Sequence, residues 1–495
     1  MKTKQWIFHP DVPEQISALA SEAKISEIVS RILINRGIKD KDQVNAFLRP
    51  QLTDLYDPYL MAGMEEAAER IQKAIANRER VLIYGDFDAD GVTSTVLLLH
   101  FFKLLNCTVS HYIPNRVSEG YSFTPEGIKA VVERKTDLVI SVDNGVNSLE
   151  EVAYLRQQGI DVIITDHHEP PDELPAANAV IDPKCKHCKY PFKQLSGVGV
   201  AFKLAWGVAQ HFSKSKKVSP EFKQFLLNSL AWVALGTITD LVPLKGENRI
   251  FAKFGLPAIQ NSTNPGLRAL CDVIGSSQQL TSEDISFRIG PRINAAGRMG
   301  QVERAVELFL TETYQEALTM AAGLDEMNKE RQNIEREIYK EVIDKLGKVE
   351  DDIIITGHEN WHPGVIGVVA SKLVEVYGKP VILFSFSNGK GRGSCRSVPG
   401  FDVFQALTHC AEHLVTYGGH SSAGGLSIVR EEVDPFKTKM RGFLKDVMPG
   451  VDFQATLHID CELQLSALSQ LLLSEIDKLN PFGEANPVPV FASTG

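Results

Sequence analysis

Val81-Leu-Ile-Tyr-Gly-Asp-Phe-Asp-Ala-Asp-Gly91 decides the reading of this chain. A short apolar run, Val81–Tyr84, meets a glycine and then three aspartates at alternate positions, Asp86, Asp88 and Asp90. Such a run bounded by a Gly/Asp turn predicts a buried strand, and an apolar helix follows at Ser94–Leu105. The figure recurs downstream. Val109–Ile113, Leu138–Val142 and Val162–Thr165 are further apolar runs, separated by helical stretches at Pro125–Arg134 and Leu149–Gln158. Strands and helices alternating at this spacing predict βαβ units and a parallel, doubly wound α/β sheet.

The chemistry-bearing residues fall at the carboxyl ends of these strands, where open α/β sheets bind ligands. Asp143 follows Leu138–Val142, and Asp166-His167-His168 follow Val162–Thr165. Asp240 follows the apolar helix Leu226–Leu235 and a turn at Gly236-Thr-Ile-Thr239. One aspartate after a strand ordinarily caps the next helix. The set Asp86, Asp88, Asp90, Asp143, Asp166, His167, His168 and Asp240 exceeds what capping needs. So many carboxylates at one edge repel each other unless cations lie between them. Carboxylates with imidazole suit Mn²⁺ or Mg²⁺. Two such ions would activate a water against a phosphoryl centre, which makes phosphoesterase chemistry the expected class.

Other candidates lie outward. Arg116, in Ile113-Pro-Asn-Arg116, follows another strand and is placed to bind a terminal phosphate. Arg292 and Arg298 flank Asn294 in a Gly-rich stretch and are candidates for a nucleic-acid channel. Gly389-Lys-Gly-Arg-Gly-Ser-Cys-Arg-Ser397 offers glycines, hydroxyls and cations suited to a phosphate-binding nest. Gly418-Gly-His420 reads as a glycine turn carrying one histidine. Cys185-Lys-His-Cys188 is half a zinc site without a second pair, so these cysteines read as structural. There is no phosphate-binding P-loop and no serine-hydrolase elbow with a paired acid.

Residues 1–75 read as helical, with helix-like apolar spacing over Glu14–Arg36 and a second helix from about Glu65 to Asn77. Tyr314–Leu346 reads as one long charged helix. A second α/β segment follows, with strands Ile353–Thr356 and Val381–Phe384, helix Val365–Val376 and a Gly-rich loop at Gly389–Gly400. From about Gly450, Thr456–Ile459 reads as a strand, Ser466–Leu479 as a helix, and Pro487–Phe491 as a strand-like run without a partner, which suggests an unfinished domain. Net charge is −10, so a uniformly basic coat is excluded and a local basic groove is not. Seven scattered cysteines, the absence of an apolar stretch near 20 residues and an opening without a secretory h-region fit the cytoplasm and no membrane.

Together the motifs resemble the DHH phosphoesterase superfamily and, within it, the RecJ family of single-stranded-DNA-specific 5′→3′ exonucleases. The resemblance rests on Tyr84–Gly91, Ile113–Tyr121, Val142–Gly145, Thr165–His168 and Leu195–Gly199. It extends through Gly236–Leu244, Glu247–Arg249, Gly290–Arg298, Trp361–Gly367, Gly393–Ser397, Gly418–Gly424 and Pro481–Pro487. It implies a DHH catalytic domain at 76–260 after the helical segment 1–75 and a connector with the long helix at 261–350. A DHHA1-type substrate-binding domain at 351–447 and an incomplete OB-fold at 448–495 would follow. The resemblance also implies one metal on Asp90, Asp143, His167 and Asp240, and a second on Asp88 and the bridging Asp143, with Asp86 a further candidate. Small members carry a histidine where this chain has Tyr84. By the same resemblance His168 contacts phosphate and Asp166 orients the histidines. Ser394, Arg396, Ser397 and His420 face the nucleic acid from the second lobe across a narrow channel. The implied activity is hydrolysis of single-stranded DNA to 5′-mononucleotides with two Mn²⁺ or Mg²⁺ ions, in repair and recombination. The implied partners are single-stranded DNA, a single-strand-binding protein and a RecQ-type helicase. The alternatives are a phosphodiesterase of the same superfamily acting on pyrophosphate, short oligonucleotides or cyclic dinucleotides, and a non-catalytic single-strand-binding protein.

Overall fold

The computed structural model describes residues 4–275, 279–346, 351–448 and 456–493. The chain forms two compact units, His9–Met327 with Ile459–Gly495, and Met1–Phe8 with Asn328–His458. The expected boundary near Gly450 and the connector's last residues, 347–350, lie outside the described residues. No helix among the described residues is long and apolar enough to cross a membrane.

The first element is a strand, β1 (Gln5–Phe8), where residues 1–75 read as helical; it pairs with Thr456–Ile459. The apolar spacing of Glu14–Arg36 is divided into α1 (Pro13–Ala23) and α2 (Glu27–Asn35). Lys24 ends α1 in left-handed backbone at φ 55°, and the Ser26 hydroxyl caps α2 by accepting from Val29 N–H. α3 (Lys41–Leu48) and α4 (Met64–Ala76) follow.

The larger unit is built on five parallel strands, β2 (Val81–Tyr84), β3 (Val109–Tyr112), β4 (Leu138–Val142), β5 (Asp161–Thr165) and β6 (Ala179–Ile181), in the spatial order β3-β2-β4-β5-β6. The short β6 is an addition to the expected strands. Crossovers run through α5 (Ala89–Leu104), α6 (Pro125–Glu133) and α7 (Leu149–Gln157). Both faces of the central strands are covered, which is why β2 and β4 are buried along their whole length. Ile83, Ile140 and Ile163 pack in one core with Ile71 of α4 and Val92 and Val96 of α5. Leu82, Tyr84, Val139 and Ile164 pack in another with Val131 of α6 and Val152 of α7. The chain leaves β2 for β3 on one side and returns to β4 on the other. The order therefore reverses between β2 and β4, and the carboxyl edge there is the switch point of a doubly wound sheet.

Two helix ends differ from expectation, and both bear on the site. α5 begins at Ala89 rather than Ser94, because the Asp88 carboxylate caps it by accepting from the N–H groups of Asp90 and Gly91 at 2.9 and 3.1 Å. After α8 (Gly197–Ser213), α9 (Pro220–Thr239) continues through Gly236–Thr239 with no turn, so Asp240 is its C-terminal cap residue. α10 (Gly246–Gln260) carries the fully buried Arg249, which donates to the carbonyls of Phe47, Leu479, Asn480 and Pro481. The C-terminal stretch is thereby built into the larger unit. Its helix is Gln470–Asp477, shorter than Ser466–Leu479, and its last strand is paired after all: Phe491–Ala492 lies parallel to Cys461–Glu462.

The smaller unit holds a mixed sheet of β7 (Ile354–His358), β8 (Val381–Ser387), β9 (Lys390–Arg396), β10 (Thr416–His420) and β11 (Ala423–Val429), in the order β10-β11-β9-β8-β7. The Gly-rich run expected as a loop is β9, paired on both sides. A Cβ at Gly393 would stand 2.4 Å from the Leu426 side chain, and one at Gly391 would stand 2.7 Å from the Phe386 ring. The glycines admit neighbouring side chains across the strand. The expected glycine turn at Gly418–His420 is likewise the end of β10, joined to β11 by Ser421-Ser422. The long helix is one element, Tyr314–Leu346.

Candidate metal centre

Four elements of the larger unit deliver the acidic residues to one place. Asp86 leaves β2, Asp88 caps α5, and Asp90 lies in the first turn of that helix. Asp143 leaves β4 with φ 62°, a left-handed conformation that turns the chain at the sheet edge. His167 and His168 follow β5, and Asp240 ends α9. Three sets of ligand atoms each lie within 4.8 Å of one another: Asp90, His167 and Asp240; Asp86, Asp88 and Asp143; and Asp143, His167 and His168. Asp143 is common to the last two. Asp86 thus stands with Asp88 and Asp143 as a third candidate ligand.

The donor atoms fit divalent cations. Asp86 Oδ1, Asp143 Oδ1 and His167 Nε2 are buried and have no hydrogen-bond partner. His167 Nε2 lies 3.0 Å from Asp143 Oδ1 and 3.7 Å from Asp240 Oδ2. The His167 ring also hydrogen-bonds the Leu195 backbone, and burial together with the neighbouring His168 lowers its pKa to about 3. A neutral ring nitrogen facing two carboxylates is a donor set suited to a divalent cation. Burial first, then the adjoining carboxylates, pushes Asp86, Asp143 and Asp240 well above the usual carboxylate range and Asp90 up to about 7. Divalent ions would reverse that repulsion.

Glycines and backbone N–H groups shape the cradle. Asp90 Oδ2 and Oδ1 accept from the N–H groups of Gly197 and Val198 at the start of α8, at 2.7 and 2.9 Å. A Cβ at Gly197 would meet Asp143 Oδ1 at 2.5 Å, and one at Gly236 would meet Asp90 Oδ1 at 2.5 Å. The stretch Leu195–Val198, to which sequence reasoning assigned no role, therefore positions Asp90, Asp143 and His167. Its signal is Ser196 before Gly-Val-Gly and an apolar helix, the start of a helix able to hold an anion. Asp166 orients one histidine ring rather than two. Its Oδ1 accepts from His168 Nδ1 at 2.7 Å and from both histidine backbones, and its Oδ2 accepts from Val146 N–H. Burial opposes a charge on His168, but the Asp166 hydrogen bond and nearby carboxylates hold its pKa up near 9. Tyr84 packs against Phe123, and its hydroxyl donates to the Ser122 carbonyl and accepts from Thr124 N–H. It braces the 122–124 segment on the far side of the sheet.

A cleft beside these carboxylates is lined by Asp88, Ala89, Asp90, Arg116, Thr239, Asp240, Asn294 and Arg298. Arg116 lies 4.6 Å over the Phe87 ring. Asn294 Oδ1 accepts from Ala89 N–H at 2.7 Å. Arg292 does not line the cleft: it pairs with Asp325 at 2.6 Å and donates to the Arg288 carbonyl. The expectation for that position passes to Asn294, two residues on. Tyr121 reaches the Asp143 carbonyl and the His168 ring, each at 3.3 Å.

In the smaller unit, Arg396 donates to the hydroxyls of Ser371 and Ser394 at 3.1 and 3.2 Å. Arg396, Ala423 and His420 are opposite one another across β9, β11 and β10 and share one face of the sheet. The backbone of β9 is engaged in its ladders, so it forms no N–H nest. Ser397 donates to the Phe401 carbonyl at 2.5 Å and serves its own turn. Cys185 and Cys188 are buried free thiols in the main core.

Comparison with known proteins matches residues 80–230 to the DHH family, N-terminal domain, 349–446 to the DHHA1 domain and 459–495 to the RecJ OB domain. The single-stranded-DNA-specific exonuclease RecJ of Bacillus subtilis is 37% identical over 99% of this chain, which spans 61% of that relative's length. The protein of the same name from Dickeya dadantii is 34% identical over 94% of this chain and 83% of its own. The crystal structure of RecJ with Mn²⁺ from Thermus thermophilus superposes with a TM-score of 0.85 at 30% identity, covering 99% of this chain and 69% of that one.

Proposed function

Because the chain belongs to the RecJ family of DHH phosphoesterases, we propose that it is a divalent-metal-dependent exonuclease that degrades single-stranded DNA from the 5′ end to 5′-mononucleotides. The observation that carries this reading is that Asp143 belongs to one candidate ligand set with Asp86 and Asp88 and to another with His167 and His168, and so would bridge two ions. Asp90, His167, Asp240 and Asp143 would hold one Mn²⁺ or Mg²⁺, and Asp86, Asp88 and Asp143 the other. Such ions, when bound, supply an activated water and Lewis-acid stabilisation of phosphoryl oxygens. The chain's own groups do the rest. Arg116 and Arg298, in the cleft beside Asp88 and Asp240, take phosphate oxygens and offset the charge that develops on them. Asp166 fixes the His168 ring through Nδ1, and Nε2, 3.4 Å from the Tyr121 hydroxyl, is the nitrogen that would meet a phosphate oxygen. Ser394, Arg396 and His420, on neighbouring strands of the smaller unit, are that unit's own candidate contacts to nucleic acid. The setting is cytoplasmic repair and recombination, where a RecQ-type helicase and a single-strand-binding protein would furnish single strands.

The test is one panel with Mn²⁺: single-stranded DNA, duplex DNA, pyrophosphate and cyclic dinucleotides. Single strands should be degraded at least about tenfold faster than any other member. A preference for pyrophosphate or cyclic dinucleotides would replace this reading with that of a small-substrate phosphodiesterase.

A further inference from the structure

We propose that Asn115 is a positioning residue, a latch that sets the spacing of the two arginines in the cleft. Arg116 and Arg298 come from distant parts of the chain and line the same cleft. Asn115 ties their segments together. Its Nδ2 donates to the Gly300 carbonyl at 3.0 Å, just past the helix that ends at Arg298. Its Oδ1 accepts from the N–H groups of Val117 and Ser118 at 2.9 and 3.2 Å, fixing the turn that carries Arg116.

The fit around the latch is close on both sides. Gly300 has φ 72°, and a Cβ there would lie 3.3 Å from both the Nδ2 and the Oδ1 of Asn115. Glu119 braces the other end, accepting from Asn115 N–H at 3.1 Å, from Tyr112 at 2.7 Å and from Thr124 at 2.9 Å. A side chain with one acceptor and one donor arm thus couples two cations whose separation must match the oxygens of a phosphate. Asn115 touches no metal-ligand candidate in these contacts, so it acts on substrate affinity through the arginines.

The inference rests on the proposed exonuclease reading and deepens it. The experiment compares wild type, Asn115→Ser, Arg298→Gln and the double variant on 5′-phosphorylated single-stranded DNA with saturating Mn²⁺. Serine keeps an acceptor for the turn and loses the reach to Gly300. Asn115→Ser should raise KM about five- to tenfold, the effect of one lost positioning hydrogen bond, with kcat within about twofold. In the double variant the effect should be no more than about twofold beyond Arg298→Gln alone, because the latch has nothing left to position. A KM within twofold of wild type, a fall in kcat at unchanged KM, or fully multiplicative effects would overturn the latch. A wild-type chain inactive on single strands would instead remove the exonuclease reading, and the latch with it.

Discussion

At the scale of single residues, the site is defined by protons it cannot keep once cations arrive. Asp90 carries a pKa raised to about 7 by burial and by Asp88, and burial with the neighbouring carboxylates holds Asp86, Asp143 and Asp240 well above the usual carboxylate range. In the metal-free protein the folded state therefore binds more protons here than the unfolded chain. These carboxylates cost stability progressively as pH rises from about 4 toward and through 7. Divalent ions compete for the same oxygens and relieve that cost. The stabilisation of the protein by Mn²⁺, read as a shift in Tm, should be larger at pH 8 than at pH 6. Equal shifts at the two values would show that these carboxylates are not displaced from protons by the ion. Arg292 and Asn294 illustrate what sequence leaves open at this scale. Both lie in Gly290–Arg298, and only the phase of the folded helix turns Asn294 to the cleft and Arg292 to Asp325.

Elements place these residues, and α8 shows how. Its first N–H groups hold Asp90, and its first residue leaves room for Asp143 only because it lacks a Cβ. Gly197→Ala should lower Mn²⁺ affinity and activity by roughly 10- to 100-fold, the cost usual for disturbing a ligand's support. Calorimetric titration of Mn²⁺ would check it, with far-ultraviolet circular dichroism expected unchanged. Elements also show how much was legible in advance. β2 and β4 fall where their apolar runs predict, since runs of four or five mostly apolar residues closed by Gly85 and Asp143 are too short for a helix. Asp88–Asp90 read as a turn because aspartate favours turns and helix caps alike, and only the fold shows that Asp88 caps α5. β9 was illegible: its Gly, Ser and Arg residues have weak strand preference, and the packing comes from Phe386 and Leu426 on its neighbours. The candidate carboxylates were legible because they follow strands or lie at helix ends along one sheet edge. The α8 contacts were not, because they join residues about a hundred positions apart.

Over the whole molecule, the C-terminal stretch is part of the larger unit rather than an appendage. Arg249 gives four backbone carbonyls their donors, three of them in Leu479–Pro481, and Arg36 donates to the Pro487 carbonyl at 2.6 Å. Arg249→Met keeps much of the volume and strips these donors; Leu479 and Pro481 still accept from Asn486 Nδ2, and each donor lost from a buried carbonyl is costly. Urea unfolding should show a loss of roughly 3 kcal/mol, and a loss below about 1 kcal/mol would mean that the stretch is held by apolar contacts alone. In the proposed exonuclease, Asp143 would join two cation positions into one phosphodiester-cleaving centre. The most direct measurement is release of 5′ and 3′ labels from one single-stranded substrate, with Mn²⁺, by wild type and by Asp143→Ala. Wild type should release the 5′ label first, and Asp143→Ala, still folded, should lose activity by a factor on the order of 10² to 10⁴. Early release of the 3′ label, or an Asp143→Ala variant retaining more than about a tenth of the wild-type rate against that expectation, would contradict it.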